Sequence, residues 1–130
     1  MRILVCGGRD FKHIEWFLHC MEPYIPQVTY LITGGATGVD TFAYIWGRRE
    51  AKLADGHNLV FAAEWDKHEK AAGPIRNQVM LDAGRPDLVI AFPGGRGTAD
   101  MIGRAKRQNI AVTMFTERDY HQWLKFEGRS

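Results

Sequence analysis

The sequence predicts a Rossmann-like α/β fold, in which helices cover both faces of a five-stranded, mainly parallel sheet. Five short apolar runs recur along the chain, and segments with helical character separate them. Each run is continuously apolar, a pattern typical of parallel strands that are buried on both faces. Strands that alternate with helices indicate βαβ units. The five predicted strands are Ile3–Cys6, Thr29–Thr33, Leu59–Ala63, Leu88–Phe92 and Ile110–Phe115.

Two of the predicted helices are identified by apolar residues at helical spacing. After the second strand these residues recur at i, i+3, i+4 and i+7, and after the fourth strand the pattern is weaker. The first helix has an apolar face made of Val39, Phe42, Ala43 and Trp46, and the weaker pattern of the second is made of Ala99, Ile102, Ala105 and Lys106.

Two further helices are identified by their boundary signals. Pro74 is typical of the first turn of a helix, which we expect to run to about Ala83 because Gly84 and Pro86 follow as stop signals. Thr116 and Asp119 resemble a capping box that opens a last helix through Trp123.

The overall composition limits the classes of function. We expect a single domain over residues 1–130. Its net charge of +2, from 17 basic and 15 acidic residues, gives no broad basic surface for a polyanion. No apolar stretch approaches the roughly 20 residues of a membrane span, and the first residues enter a strand without a secretory signal. These observations favour a cytoplasmic protein of bacterial or viral origin without a membrane partner.

The cysteines and histidines do not indicate a metal site. Cys6 and Cys20 fall in a strand-like and a helix-like segment, where buried reduced thiols are the ordinary interpretation. The five histidines are scattered, and no Cys/His spacing resembles a zinc site. We therefore expect neither a metal nor a cofactor.

The most informative feature is the position of the glycines. They follow the first strand at Gly7 and Gly8, the second at Gly34, Gly35 and Gly38, and the fourth at Gly94, Gly95 and Gly97. The carboxyl ends of parallel strands share one edge, which is where open α/β sheets bind ligands. Glycine lets backbone N–H groups approach a ligand closely, and the following helix directs its positive dipole end to the same place. The sequence therefore predicts an anion site at this edge.

The same loops indicate the order of the strands. In the order 3-2-1-4-5 the second, first and fourth strands are neighbours, so the three glycine loops meet. In the order 2-1-3-4-5 the glycine-poor third strand would separate two of them. We therefore expect the order 3-2-1-4-5.

Two common nucleotide motifs are excluded. No lysine follows Gly38, so the second loop is not a P-loop, and the run that starts at Gly95 places Asp100 where the dinucleotide fingerprint has Gly or Ala. ATP hydrolysis through a P-loop lysine and ordinary NAD-dependent hydride transfer are therefore not expected.

Polar residues accompany the loops, and several have two interpretations. Asp40 and Asp100 could complement a helix dipole or accept a ribose hydroxyl, and Thr98 could cap a helix or bind phosphate. Arg76, with Asn77 beside it, is expected in the first turn of the helix after the third strand, where the dipole gives a cation no advantage; bidentate phosphate binding explains it better. Trp65 could stack on a base or pack in the core.

These residues together resemble a known family. The segments Val5–Phe11, Gly34–Asp40, Ala71–Asn77 and Phe92–Met101 are similar to the DUF2493 (YspA-like, YpsA-related) group of the SLOG superfamily. That superfamily also contains the LOG phosphoribohydrolases, once labelled lysine decarboxylases, and the Rossmann domain of the DNA-processing protein DprA. The resemblance covers residues 2–115 and implies a Rossmann-like domain that binds nucleotides or their derivatives, often as a dimer.

The loops, their polar neighbours and the resemblance define a predicted ligand site. Its members lie in the four segments and at the end of the third strand: Gly7, Gly8, Arg9, Asp10, Gly34, Gly35, Ala36, Gly38, Val39, Asp40, Trp65, Arg76, Asn77, Pro93, Gly94, Gly95, Arg96, Gly97, Thr98 and Asp100.

One departure from the family bears on catalysis. The LOG enzymes end their Pro-Gly-Gly-x-Gly-Thr-x-x-Glu motif with a glutamate that acts with an arginine to cleave an N-glycosidic bond. Here Met101 occupies that position, and Asp100 lies one residue earlier, about 100° away on a helix. If the protein is an enzyme, Arg76 with Asp40 or Asp100 would be its catalytic residues.

Three functions remain open from the sequence. The leading prediction is a binding protein that senses or sequesters a nucleotide-like ligand, as a homodimer or higher homo-oligomer. The first alternative is an N-glycoside hydrolase that acts on nucleoside monophosphates or NAD-like molecules. The second is single-stranded DNA binding, suggested by the likeness of Gly34–Asp40 to the DprA loop and opposed by the near-neutral charge.

Overall fold

The computed structural model describes residues 1–128. Five strands form one sheet in the order β3-β2-β1-β4-β5, and every neighbouring pair is parallel. The strands are β1 (Arg2–Cys6), β2 (Tyr30–Thr33), β3 (Asn58–Val60), β4 (Leu88–Ala91) and β5 (Ala111–Met114). The predicted fold class and strand order are both confirmed, and the strand ends differ from the prediction by at most three residues.

Residues 1–128 form six α-helices, of which the first five lie between strands and the last follows β5. They are α1 (Ile14–Met21), α2 (Val39–Arg49), α3 (Trp65–His68), α4 (Ala72–Gly84), α5 (Arg96–Arg107) and α6 (Glu117–Phe126). None of the helices within residues 1–128 combines the length and the apolar character that crossing a membrane requires.

The strand order explains how the helices divide between the two faces. Strands β2 and β3 lie on one side of β1, and β4 and β5 lie on the other side. Because the crossovers are right-handed, the helices that connect the first group lie on the opposite face of the sheet from those that lead into the second group. Successive residues of β1 alternate between the faces, with Ile3 and Val5 on one side and Leu4 on the other. The first face packs against α1, α2 and α6, and the second against α4 and α5.

The last helix begins as its sequence indicates. The Thr116 hydroxyl accepts a hydrogen bond from the Asp119 backbone N–H, and the Asp119 carboxylate accepts one from the Thr116 backbone N–H at 2.8 Å. This reciprocal capping box fixes the first turn of α6 beside the end of β5. The helix continues past the expected Trp123 to Phe126.

Helix α4 begins earlier than predicted. It starts at Ala72, so Pro74 is its third residue, a position where the missing N–H of proline costs no helical hydrogen bond. Arg76 and Asn77 consequently lie in the second turn and not in the first. The helix ends at Gly84, followed by Arg85 in a left-handed conformation.

The segment between β3 and α4 contains α3, a single helical turn over Trp65–His68, followed by a 3-10 turn over Glu69–Ala71. Glu69 adopts a positive φ of 52° without being a glycine.

Candidate ligand-binding cleft

A cleft of about 1100 Å³ lies at the carboxyl edge of the sheet. It is lined by the loops that follow β1, β2 and β4, by α3 and the start of α4, and by the first residue of α6. All but three of the predicted ligand-binding residues line it: Gly7, Gly8, Arg9, Asp10, Gly34, Ala36, Asp40, Trp65, Arg76, Asn77, Pro93, Gly94, Gly95, Arg96, Gly97, Thr98 and Asp100.

Gly35, Gly38 and Val39 do not line the cleft but support it. Gly38 has a φ of 73°, and a side chain there would collide with the backbone carbonyls of Gly8 and Arg9. Val39 is completely buried, and its N–H donates to the Gly8 carbonyl at 3.2 Å. Gly35, with a φ of 71°, faces Val60 at the end of β3. Gly38 and Val39 thus pack the β1 and β2 loops against each other, whereas Gly35 packs the β2 loop against the end of β3.

The loops after β1 and β4 are in direct backbone contact. The Gly8 N–H donates a hydrogen bond to the Pro93 carbonyl at 2.9 Å. A side chain at Gly94 would collide with the Thr98 hydroxyl and with the backbone nitrogen of Gly8. The switch point between β1 and β4 is therefore closed at its base by glycine backbone.

The residues Gly94–Thr98, here called the β4 loop, end in the first turn of α5. Gly95 is the N-cap, so the N–H groups of the next three residues have no partner within the helix. The Thr98 side chain is 8% exposed and lines the cleft. Within residues 1–128 its hydroxyl makes no hydrogen bond. The β4 loop thus combines unpaired donors with the positive end of a twelve-residue helix.

Asp40 lies on the cleft wall formed by the β2 loop. It is 7% exposed, and one carboxylate oxygen accepts a hydrogen bond from the Ala36 backbone N–H at 3.1 Å. Burial raises the pKa of Asp40, although that backbone bond and the nearby Arg76 guanidinium act in the opposite direction. Asp40 therefore holds its own loop in place and also presents a buried carboxyl group to the cleft.

Arg76 reaches from α4 to the same loop. Its Nη1 donates to the Gly34 carbonyl at 2.5 Å, and its Nε donates to the Asn77 side chain at 3.2 Å. Within residues 1–128, Nη2 makes no hydrogen bond. Burial lowers the pKa of Arg76, and the positive charge of Arg9 acts in the same direction. The guanidinium remains charged at neutral pH because arginine is so strong a base.

Asn77 and Asp100 are engaged mainly with the protein itself. The Asn77 amide donates to the Gly97 carbonyl at 3.1 Å and to Asp100 at 2.9 Å, and Arg104 donates to the same Asp100 oxygen at 2.8 Å. Partial burial of Asp100 opposes ionisation, but the bonds from Arg104 and Asn77 outweigh it and lower its pKa. Asp100 is therefore an ionised anchor between α4 and α5.

Trp65 stands at the α4 side of the cleft. Its ring is 46% exposed, and the Arg9 guanidinium lies 5.2 Å from its centroid, a cation–π distance. Of the two interpretations made from the sequence, core packing is ruled out by this exposure. The ring is available to a ligand.

Met101 takes no part in the cleft. It is 1% exposed and packs in the core on the second face of the sheet, against α4. The Cys6 thiol reaches the cleft lining, but burial raises its pKa to about 12, with the Asp40 charge acting in the same direction. It is therefore an uncharged thiol and not a nucleophile at neutral pH.

Several cleft residues were not predicted. Four of them lie within the family motifs but were not selected as site residues, and the other five lie outside the motifs: Cys6, Phe11, Gly73 and Pro74 within, and Lys12, His13, Lys70, Met80 and Glu117 outside. Lys12 and His13 directly follow the first motif, so the length of the β1 loop was a signal for them. The sequence contained no signal for Glu117, because only the folding of the sheet brings the start of α6 to this edge.

Comparison with known proteins gives one informative similarity. The chain matches no known protein-family model. It is 32% identical over 127 residues to the Gene 61 protein of Mycobacterium phage D29, an alignment that spans 90% of this chain and 98% of the phage protein. Identity at this level over nearly the whole of both chains shows common descent. The chain therefore belongs to the same protein family as the Gene 61 protein of Mycobacterium phage D29.

Proposed function

We propose that the cleft binds a nucleotide, or a phosphate-bearing molecule derived from one, and that the protein senses or sequesters this ligand. The observation that carries the proposal is Thr98, a buried residue that lines the cleft and whose hydroxyl has no hydrogen-bond partner in the described chain. It lies beside three unpaired N–H groups at the start of α5. Donors that converge at a helix N-terminus form an anion site, and the oxygens of a phosphate group can accept hydrogen bonds from them.

The surrounding side chains fit the other parts of a nucleotide. Arg76 and Arg9 supply positive charge, and the free Nη2 of Arg76 is a donor for a phosphate oxygen. The buried Asp40 carboxyl group is an acceptor for a ribose hydroxyl, and the exposed Trp65 ring is a platform for a base.

The same geometry favours binding over turnover. Met101 is buried in the core, and the carboxylate of Asp100 is held by Asn77 and Arg104. N-glycoside cleavage requires a carboxylate beside the sugar, and burial, which raises the pKa of Asp40, disfavours that form in the other acidic candidate. We therefore propose that a bound nucleotide is retained intact.

Titration calorimetry of the purified protein with AMP and with adenosine tests the binding proposal. AMP is expected to bind and adenosine to bind at least about ten-fold more weakly, a difference of roughly 1.4 kcal/mol, because the β4 loop recognises the phosphate. Thr98→Val keeps the shape of the side chain and removes the hydroxyl, so it should weaken AMP binding without lowering stability. Thr113→Val on β5, away from the cleft, is the matched control. Equal affinity for AMP and adenosine would contradict the proposal.

Two further measurements separate the alternatives. Chromatography of AMP or NAD⁺ after incubation with the protein should show no free base; base release that disappears in Asp40→Asn would establish a hydrolase. A labelled single-stranded oligonucleotide should remain unbound at both low and high salt, whereas binding that weakens steeply with salt would support a DNA-binding function.

We also propose that the protein is a cytoplasmic homodimer. Ile75 and Val79, one turn apart on the outer side of α4, are 41% and 44% exposed, and a second copy packed there would cover them. Light scattering should give twice the 14.8 kDa mass of the chain, and Val79→Glu should reduce it to that of a monomer. A wild-type monomer at every concentration tested would contradict this part of the proposal.

A further inference from the structure

The segment between β3 and α4 has few attachments to the rest of the protein. Residues 62–71, here called the α3 strap, contain α3 and the 3-10 turn, and none of them is buried. The Phe61 N–H, which donates to the Thr33 carbonyl at 2.8 Å, attaches the chain to the sheet just before the strap. Inside the strap the Glu64 carbonyl accepts a hydrogen bond from the Lys67 N–H, and the two side chains form an exposed ion pair at 4.0 Å. These bonds stabilise the turn itself and do not attach it to the sheet or to α4.

One residue of the strap has a strained backbone. Glu69, which joins α3 to the 3-10 turn, has a φ of 52° and a ψ of −127°, a combination that residues other than glycine rarely adopt. Strain of this kind persists only where surrounding contacts enforce it. Glu69 is exposed, and its side chain makes no hydrogen bond or ion pair within residues 1–128. A change of φ at Glu69 would relieve the strain, which makes this residue the hinge of the strap.

The strap contacts the opposite wall of the cleft through one aromatic ring. The Arg9 guanidinium lies 5.2 Å from the centroid of the Trp65 ring, and the part of the chain that the structure describes shows no other cation–π, ring-stacking or ion-pair contact between the strap and residues outside it. Arg9 follows β1 and Trp65 follows β3, and β2 lies between these two strands. The contact therefore joins two walls of the cleft across the end of β2.

This contact lies close to the charged groups of the cleft. Burial raises the pKa of Asp40 and lowers that of Arg76, and the positive charge of Arg9 opposes the first shift and adds to the second. The Arg9 guanidinium is therefore near both groups. The cleft volume of about 1100 Å³ slightly exceeds the roughly 300–1,000 Å³ that is usual for a small-molecule site, which leaves room for the strap to move inward.

We propose that the α3 strap is a gate of the cleft and that the contact between Trp65 and Arg9 is its latch. The latch opens to admit a ligand and closes over it, with Glu69 as the hinge. Closure of a short surface segment over a site excludes water and slows release of the ligand. The inference rests on the proposed function, to which it adds control of ligand entry and release.

Hydrogen exchange of the free protein, followed by mass spectrometry, tests the latch. The amides of the strap should exchange by local opening, much faster than those of β1. Arg9→Ala removes the latch and should accelerate exchange in the strap by about two- to five-fold, the strength of an exposed cation–π contact. Arg96→Ala removes the same charge from the β4 loop and should leave exchange in the strap unchanged. The latch is overturned if the strap exchanges as slowly as β1, or equally fast in wild type and Arg9→Ala.

Stopped-flow binding of the fluorescent nucleotide etheno-AMP tests the gate. Trp65→Ala should raise the association rate constant by about two- to five-fold, because the open form is then more populated. Trp65→Phe keeps an aromatic face for Arg9 and should remain within about two-fold of the wild type. A ring that only stacks on the base would change the dissociation rate and leave association unaltered.

The outcomes distinguish the gate from the function on which it rests. If etheno-AMP binds but Trp65→Ala does not accelerate its association, the gate is wrong and the nucleotide site stands. AMP at about ten times its Kd should slow exchange in the strap by roughly ten-fold, and binding of AMP without this protection would also overturn the gate. If neither nucleotide binds, the proposed function and the gate fail together.

Discussion

The side-chain amide of Asn77 donates a hydrogen bond to the carboxylate of Asp100 at 2.9 Å, and so connects α4 to α5. The same amide nitrogen donates to the Gly97 carbonyl at 3.1 Å. One residue therefore supports both the β4 loop, through Gly97, and the helix that begins there. Asn77 is 5% exposed, so none of these bonds is readily replaced by water.

Replacing Asn77 by alanine should destabilise the protein. Asn77→Ala removes the side-chain donor to the Gly97 carbonyl and one of the two side-chain donors to the Asp100 carboxylate. This loss should lower the free energy of unfolding by about 1–3 kcal/mol. Urea denaturation followed by circular dichroism measures this change. Gln108→Ala, at the exposed end of α5, is the control and should remain within about 0.5 kcal/mol of the wild type. An equal change in the free energy of unfolding for the two variants would show that the hydrogen bonds of Asn77 do not stabilise the protein.

The pH dependence of stability should reveal the Asp100 carboxylate. Its pKa is lowered in the folded protein, so its stabilising contribution is present above the ordinary aspartate pKa of about 3.9 and is lost as the pH falls through the folded value. The deficit of Asp100→Asn relative to the wild type should therefore be largest near neutral pH and should shrink in acid. Urea titrations between pH 3 and pH 7 test this, and a deficit that is independent of pH would refute the assignment.

Asp40 should behave in the opposite way. Its pKa is raised, so its contribution to stability is fully present below the ordinary value of about 3.9 and is lost as the pH rises through the folded value. Asp40→Asn keeps an oxygen that can accept from the Ala36 N–H and removes the buried charge. The variant should be more stable than the wild type at neutral pH and should lose that advantage in acid. A variant that is less stable at pH 7 would contradict this.

Two glycines of the β4 loop should differ sharply in their tolerance of alanine. A methyl group at Gly94 collides with the Thr98 hydroxyl and the Gly8 backbone, so Gly94→Ala should cost about 1–3 kcal/mol of stability. Gly97 has open space at the same position and lies within α5, so Gly97→Ala should be neutral or stabilising by up to about 1 kcal/mol. Thermal unfolding of both variants tests this prediction. Equal stabilities would contradict the close contact between the β1 and β4 loops.

The sequence predicted the fold more completely than the site, and the reason is physical. Continuous apolar runs and glycine loops are local signals, and they were sufficient for the strand order and for the edge where Gly7, Gly34 and Gly94 meet. The partners of Asn77 and Asp100 were not predictable, because the bond between them depends on how α4 packs against α5. A polar side chain near a predicted site thus had two interpretations until its partners were known.

The missed elements have related explanations. The turn α3 is only four residues long and follows no apolar periodicity. His13 and Glu117 reach the cleft through the packing of α6 against α1, where Tyr120 stacks on His13. Gly35, Gly38 and Val39 belong to the correct motif but serve loop packing, a distinction that depends on the conformation of the loop and not on its sequence.

The most direct test of the central claim is a titration of ¹⁵N-labelled protein with AMP, monitored by the backbone amide resonances. The account predicts the largest shifts at the amides of Arg96, Gly97 and Thr98, together with those of Gly7 and Gly8, and a loss of the β4-loop shifts in Thr98→Val. Shifts confined to residues outside the cleft, or the same response in wild type and Thr98→Val, would contradict it.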